Sequence, residues 1–146
     1  MNSKLTEVSE TLLKGRITEI ETLNYFLKLG YIVSTPEIPC QYDLLIDVNN
    51  QIYKVQVKSC HKTEGGIEFN TTSMTHNNKG YIRRHYTSNK VDFFCTWYNN
   101  ECYLVPFNEC GSRTKTLRLE PTKNGQVKNI SFAKNYIAKS ILENLI

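Results

Sequence analysis

A carboxylate, Asp43, opens a predicted strand over residues 43–48, directly after a loop at residues 39–42. A carboxylate at a strand end, beside a hairpin, is well placed to hold a divalent cation. Mg²⁺ accepts hard oxygen ligands and is often bound by only one or two carboxylates, with water and phosphate completing its shell. Asp is also common in the turns that precede strands, so Asp43 alone leaves a purely structural role open.

Two further polar residues, Gln56 and Lys58, lie on a second predicted strand over residues 51–58. Side chains alternate along a strand, so both point to one face, while Val55 and Val57 point to the other. The Lys could position or deprotonate an attacking water or stabilise charge on a phosphate, and the Gln could orient that water. An edge strand with a solvated polar face is the alternative.

An acidic residue on a predicted helix, Glu19, completes the candidate group. The helix spans residues 16–29, and its apolar face is predicted to carry Ile20, Leu23 and Leu27. Burying a lone carboxylate is costly, so a cation beside Glu19 would offset the cost. Glu21 lies on a different side of the helix and is typical of an ordinary solvated acid.

The elements that must position these residues follow from apolar periodicity and turn residues. Gly30 is predicted to end the helix, and Asn49-Asn50 to turn the hairpin between the two strands. A polar stretch over 73–90 is predicted to be a long loop. The remaining predictions are helices over 5–14, interrupted by Gly15, and over 131–146 with Ser131 as N-cap, and strands over 31–33, 67–71, 91–97, 102–107 and 112–120. Helices, a run of antiparallel strands and a final helix predict an α+β fold.

Composition limits the class of protein. The chain has 146 residues, which predicts a single domain over 1–146, and 40% of its residues are hydrophobic. Its net charge of +4 permits a nucleic-acid partner without requiring one. No apolar run approaches the roughly 18–20 residues that span a bilayer. A polar N-terminus and 5 cysteines without a paired CxxC spacing predict a cytoplasmic protein with reduced thiols.

The motifs resemble those of the PD-(D/E)XK nucleases, and in particular the homing endonucleases of that superfamily that are associated with group I introns. The resemblance rests on KGRITE, which contains Glu19, on YDLLID with Asp43, and on YKVQVKS with Gln56 and Lys58. It continues through residues 86–107 and so covers about residues 14–107. Gly30-Tyr31 and Pro36 are further points of similarity.

This resemblance implies a restriction-endonuclease-like fold with a central mixed β-sheet flanked by helices. It implies Mg²⁺-dependent hydrolysis of DNA phosphodiesters, with Mn²⁺ as an alternative cation. Glu19, Asp43, Gln56 and Lys58 match the family's active-site set, and Glu19, Asp43 and the backbone carbonyl of Val57 would surround the metal. Gln56 replaces the usual acid, which removes a negative charge and is expected to weaken metal binding or reduce the number of metals held.

Basic residues beside aromatic ones are candidates for DNA contacts, because they can neutralise phosphates or read guanine edges. Each group can also be an ordinary solvated surface. The predicted DNA-binding residues are Lys14 and Arg16 beside the site, Lys79, Arg83, Arg84 and Lys90 in the polar stretch, and Arg113, Lys115 and Arg118 in a basic strand.

One active site in so small a chain cuts one strand, so cleavage of double-stranded DNA predicts a homodimer or homotetramer. The first hypothesis is a sequence-specific double-strand endonuclease. The second is a Holliday-junction-resolvase-like or repair nuclease that recognises DNA shape. The third is a non-catalytic DNA-binding module in which Gln56 marks a decayed site. Cleavage of one defined duplex separates the first from the second, and metal-independent binding without cleavage marks the third.

Overall fold

The computed structural model describes residues 9–145, and for residues 74–77 the backbone alone. Most of its elements are short strands, and they lie between an N-terminal and a C-terminal helix. The elements are α1 (Glu10–Lys28), β1 (Ile32–Ser34), β2 (Leu44–Val48), β3 (Gln51–Val57), β4 (Cys60–Thr63), β5 (Gly66–Asn70), β6 (Thr72–Asn77), β7 (Gly80–His85), β8 (Phe93–Tyr98), β9 (Glu101–Pro106), β10 (Thr114–Arg118) and α2 (Ala138–Glu143), with 3₁₀ turns at Phe107–Glu109 and Ala133–Tyr136.

The central sheet has the strand order β1-β2-β3-β8-β9. Its neighbours are antiparallel except for β3 and β8, which run parallel with Val55 opposite Phe93. A smaller sheet has the order β10-β5-β4, and β6 pairs with β7 in a separate hairpin. The predictions of an α+β fold and a central mixed sheet with packed helices are confirmed.

Two apolar layers enclose the central sheet. One face packs against the two helices, through Phe26, Leu44, Val55 and Leu142. The other face packs against the smaller sheet, where Phe94 meets a cluster that includes Ile67, Phe69 and Leu117. Strands that are covered on both faces need apolar residues in continuous runs rather than in alternation, and the buried run in β8 meets that need.

Helix α1 differs from its prediction in two ways. It is one continuous helix, because Gly15 has open space around it and costs an exposed helix only about 1 kcal/mol. Its buried face carries Thr22 and Phe26. Of the predicted apolar face, Leu23 packs against the core, but Ile20 is 51% and Leu27 48% exposed, so the prediction was wrong for these two residues. Thr22 can face inward because its hydroxyl bonds to Thr18 and accepts the Trp97 indole N–H. Part of the predicted helix 5–14 lies outside the described residues.

The stretch 73–90 was predicted to be a long loop, but much of it forms two strands. Strands β6 and β7 pair antiparallel, with Thr72 opposite His85 and Asn77 opposite Gly80. Polar, basic residues can form a two-stranded ribbon because backbone hydrogen bonds, rather than burial of apolar side chains, hold it together. The strand β4 was missed for a similar reason, since Cys60–Thr63 is polar and pairs along β5.

The C-terminal helix is shorter than predicted. A 3₁₀ turn over Ala133–Tyr136 precedes α2, and Ile137 between them has an extended backbone that bridges to Tyr103. Ser131 does not cap a helix: its carbonyl accepts the Arg118 N–H, and its hydroxyl bonds to the Lys115 ammonium. Pairing with the sheet edge therefore replaces the first helical turns that were predicted here.

The hairpin turn predicted at Asn49-Asn50 is present, and Asn99-Asn100 forms an equivalent turn between β8 and β9. Asn49 and Asn50 have φ of 53° and 65°, and Asn99 and Asn100 have φ of 49° and 62°. Two consecutive left-handed residues form the type I′ turn that matches the twist of paired strands, and Asn tolerates this conformation better than most residues. No helix within residues 9–145 is both long and apolar enough to cross a membrane.

Candidate active site

Asp43 lies directly before β2 and bonds twice to β3. Its N–H donates to the Val55 carbonyl at 2.8 Å, and its Oδ2 accepts the Val57 N–H at 2.9 Å. The hairpin register pairs Leu44 with Val55, so the preceding Asp43 lies beside Gln56. The carboxylate is thus fixed on the backbone of the strand that carries the other candidate residues.

Glu19 projects from α1 toward the same point. Its side chain is 25% exposed and pairs with the Arg16 guanidinium at 2.9 Å. It lies close enough to Asp43 for its charge to raise the pKa of that carboxyl, and both residues line one cleft. The helix and the hairpin therefore bring together two acids that lie 24 positions apart in the sequence.

The environment of Asp43 favours its protonated form. Burial and, to a lesser extent, the neighbouring Glu19 charge raise the pKa of Asp43 to about 6, against the opposing effects of the Val57 N–H and the Lys58 charge. Two acids that share a half-buried position repel each other when both are ionised. A cation between them would remove this repulsion.

Lys58 follows the last residue of β3, and its N–H donates to the Cys95 carbonyl at 2.8 Å. Its ammonium donates to the Thr72 carbonyl at 2.9 Å and lies over the Tyr86 ring, 4.8 Å from the ring centroid. Burial lowers the pKa of Lys58, and the nearby Asp43 charge opposes this. The amine is thus a half-buried group beside the acidic pair.

A cleft of about 370 Å³ opens at the acidic pair. Its walls are Arg16 and Glu19 on α1, the loop 35–40, Tyr42 and Asp43. Pro36 and Pro39 restrict the backbone of that loop, since proline fixes φ. The two carboxylates are therefore accessible from solvent along one open side.

The donor set fits a hard divalent cation. Across the described part of the chain, no cluster of three or more His, Cys, Asp or Glu side chains could hold a metal. Asp43 and Glu19 nevertheless line one cleft, and the Val57 N–H donates to the Asp43 carboxylate. Two carboxylates with a backbone carbonyl, water and phosphate are a ligand set that Mg²⁺ accepts, whereas a structural zinc site needs four N or S ligands.

The structure places Glu19, Asp43 and Lys58 close together, with Gln56 half-buried beside them on β3, and their catalytic roles stay a prediction. Two residues around Lys58 were missed. Thr72 contributes a backbone carbonyl, which no residue type signals. Tyr86 belongs to the stretch 73–90 that was predicted to be a loop, and a loop prediction gave no reason to place its ring on Lys58.

The predicted DNA-binding residues occupy different settings. Arg16 lines the cleft, and Lys14 is exposed one helical turn before Thr18. On the hairpin, Arg83 and Arg84 are exposed, and Arg83 also donates to the Thr72 hydroxyl at 2.8 Å. The other exposed cations of the set are Lys79, Lys90 and Arg113.

Lys115 and Arg118 make bonds within the protein. The Lys115 ammonium donates to the Glu109 carbonyl at 2.7 Å and to Ser131, and the Arg118 guanidinium reaches three backbone carbonyls between 2.9 and 3.4 Å. These contacts tie β10 to the neighbouring loops. A role for these two side chains in DNA binding stays a prediction.

Comparison with known proteins identifies the family. The sequence profile described as PD-(D/E)XK endonuclease matches residues 9–139. A solved structure described as a bacterial homing endonuclease, I-Ssp6803I, is similar to this one, with a TM-score of 0.72 and 27% identity over 92% of this chain and 93% of that chain. No curated protein matches significantly in sequence. The match over residues 9–139 includes all four candidate site residues, and the prediction of a DNA endonuclease is confirmed: the chain belongs to the PD-(D/E)XK endonuclease family.

Proposed function

We propose that this protein is a Mg²⁺-dependent, sequence-specific endonuclease that cuts double-stranded DNA, and that it acts as a homing endonuclease of a group I intron. The observation that carries the proposal is the meeting of Asp43 and Glu19 beside Lys58 at an open cleft. Similarity to a bacterial homing endonuclease over 92% of the chain supports the homing role. A single endonuclease domain over 1–146 and a cytoplasmic location stay predictions.

The two carboxylates and the Val57 carbonyl would hold the cation. Asp43 already has a fixed orientation, because one of its oxygens accepts the Val57 N–H at 2.9 Å. When bound, the cation polarises the scissile phosphate and lowers the pKa of a water molecule. Mn²⁺ can replace Mg²⁺ on the same oxygen ligands.

Lys58 and Gln56 act on the attacking water and the phosphate. A half-buried ammonium stabilises the negative charge that develops on the phosphate more strongly than a solvated one, because the surrounding dielectric is low. Burial lowers the pKa of Lys58, which also brings proton transfer closer to neutral pH. The amide of Gln56 can accept from and donate to one water, so its role is orientation.

Arg16 holds Glu19 in the free protein, at 2.9 Å. A cation on Glu19 would compete with this ion pair and release the guanidinium. Arg16 lines the cleft, so its guanidinium could bind a phosphate of the bound strand there. Arg16 would thus exchange a carboxylate for a phosphate on substrate binding.

The β6–β7 hairpin is the proposed DNA-reading element, because a two-stranded ribbon fits a major groove. A small cavity lined by Cys40, Gln41, Ser73 and Arg84 lies between the cleft loop and the base of the hairpin. The basic hairpin and the active site therefore adjoin. Cutting both strands needs two such sites, so a symmetric homodimer or homotetramer completes the proposal.

The test is cleavage of a supercoiled plasmid library with random inserts, in Mg²⁺, in Mn²⁺ and in EDTA. The variants are Lys58→Ala and a matched control, Lys54→Ala, which removes an ammonium from the same strand where it bonds to the Asn89 carbonyl. We expect discrete linear products that need the cation, disappear with Lys58→Ala and persist with Lys54→Ala. Sequencing their ends gives the target.

Other outcomes select other functions. Preferential cutting of four-way junctions over every linear duplex would favour a resolvase. Tight, metal-independent DNA binding with no cleavage of the library or of junctions would favour a non-catalytic binding module. Equal loss of cleavage in both lysine variants, with equal loss of thermal stability, would remove the catalytic assignment of Lys58.

A further inference from the structure

The Lys58 side chain is held from outside its own strand, by residues at the base of the β6–β7 hairpin. Its ammonium donates to the carbonyl of Thr72, the first residue of β6, at 2.9 Å. It also lies over the ring of Tyr86, which directly follows β7, at 4.8 Å. Both ends of the hairpin thus converge on one amine.

The Tyr86 ring is itself fixed. It packs edge-on against Phe94, with centroids 5.5 Å apart and an angle of 80° between the rings. Phe94 is fully buried, in an apolar cluster against which Tyr86 packs. A ring packed on a buried neighbour presents one constant face to Lys58.

The Thr72 carbonyl is fixed as well. Thr72 is 3% exposed, and its hydroxyl accepts the Arg83 guanidinium at 2.8 Å. Carbonyl and ring therefore form a rigid seat for a side chain that otherwise has four rotatable bonds. Neither is an acid, so the seat restrains the ammonium without adding negative charge where a phosphate must bind.

We propose that Tyr86 is a positioning residue for the reaction, whose ring face holds the Lys58 ammonium in the orientation that serves the scissile phosphate. This inference rests on the proposed function of Lys58. The negative face of an aromatic ring attracts a cation, and the attraction is stronger where water is excluded. Without the ring, the Thr72 carbonyl is left to restrain the ammonium against the attraction of the adjacent Asp43 carboxylate, whose charge already acts on it.

The test replaces Tyr86 by Phe and then by mono-, di- and trifluorinated Phe, in the full chain. Fluorine withdraws electron density from the ring face at nearly constant shape, so a purely structural role predicts no change along the series. Single-turnover cleavage of the identified target should stay within about twofold for Tyr86→Phe and fall progressively, by about 3- to 30-fold, at the trifluoro ring. The dissociation constant for DNA in EDTA should stay constant. Tyr98, whose ring lies under the Lys62 ammonium at 6.0 Å, provides the matched control series.

A second readout needs no cleavage. In ¹³C-lysine-labelled protein, ring current should shift the Lys58 side-chain methylene protons nearest the ammonium upfield, and Tyr86→Leu should abolish the shift. A constant cleavage rate along the series, with Lys58→Ala inactive, would overturn the positioning role and leave the nuclease intact. A protein that cuts no DNA would refute the proposed function instead, and absence of the ring-current shift in that protein would refute the seat as well.

Discussion

The acidic pair predicts that a substitution in the active site will stabilise the protein. Asp43 is half-buried beside Glu19, and burial raises the pKa of Asp43 from the usual 3.8 to about 6. Ionising this group at neutral pH therefore costs the native state free energy. Asp43→Asn keeps the shape and an oxygen that can accept the Val57 N–H, and it removes the charge.

The sign follows from proton binding. Between pH 3.8 and about 6 the native protein binds more protons at Asp43 than the unfolded chain does, so this group's contribution to stability falls as pH rises. The stabilising contribution of Asp43 is fully present below pH 3.8 and is lost above about pH 6. The shift of the pKa from 3.8 to about 6 limits this loss of stability to about 3 kcal/mol at most. Because solvent reaches part of the group, we expect a loss of about 1–3 kcal/mol.

The assay is thermal unfolding of both proteins in EDTA, at a series of pH values from 4 to 8. Asp43→Asn and the native sequence should melt together near pH 4. Above pH 7 the variant should melt about 3–10 °C higher, since 1 kcal/mol moves the melting temperature of a domain of this size by about 2–4 °C. Adding Mg²⁺ should narrow the gap, because the cation stabilises only the protein that keeps its carboxylate.

The matched control is Asp92→Asn. Asp92 accepts a backbone N–H from the same strand, that of Lys54, at 2.8 Å. It should show no stabilisation that grows with pH. An Asp43→Asn protein that is less stable than the native sequence at pH 8, or equally stabilised at every pH, would refute the argument that burial beside Glu19 makes ionised Asp43 destabilising.

Three other substitutions separate the roles of nearby residues. Gln56→Glu restores an acid beside Asp43 and should raise the affinity for Mg²⁺, measured by calorimetry, about tenfold. The control is Gln51→Glu, because Gln51 is exposed on the same strand, and this variant should bind Mg²⁺ as the native sequence does. Equal Mg²⁺ affinities of the two variants would show that residue 56 does not face the cation. Arg84→Ala, on the exposed hairpin, should weaken DNA binding and reduce its salt slope by about one with the melting temperature unchanged. Arg118→Ala removes hydrogen bonds to three carbonyls and should lower stability by about 1–3 kcal/mol. An unchanged melting temperature would contradict this structural role and favour the prediction that Arg118 contacts DNA.

The acid and amine positions were predictable because short-range rules fix them. Asn49-Asn50 dictates the hairpin between β2 and β3, and the register of that hairpin brings Asp43 to Val57. The alternation of side chains along β3 and into the next residue then places Gln56 and Lys58 on the same face of the strand. Glu19 was less well determined by its helix alone, since Ile20 and Leu27 of the predicted apolar face are exposed, and the family's motif spacing added to the prediction.

The remaining parts depend on tertiary contacts that no local pattern encodes. Strands β6 and β7 lack apolar alternation, so periodicity gave a loop where backbone pairing gives a hairpin. Ser131 is a good helix cap in isolation, but the Lys115 ammonium and the Arg118 N–H use its oxygens. The seat of Lys58 combines both effects, because Thr72 and Tyr86 belong to the hairpin that was missed.

The single parallel pairing in the central sheet sets an order of assembly during folding. Asp43 and Val57 join within one local hairpin, which a chain closes early and at small entropic cost. The Lys58 backbone is fixed only when β8 arrives and Cys95 accepts its N–H, after the whole segment β4–β7 has been looped out. Long-range parallel pairing is intrinsically slow. The acid of the hairpin is therefore in place before the amine, so the rate of folding to the active state should follow formation of the β3–β8 pair and not of the hairpin.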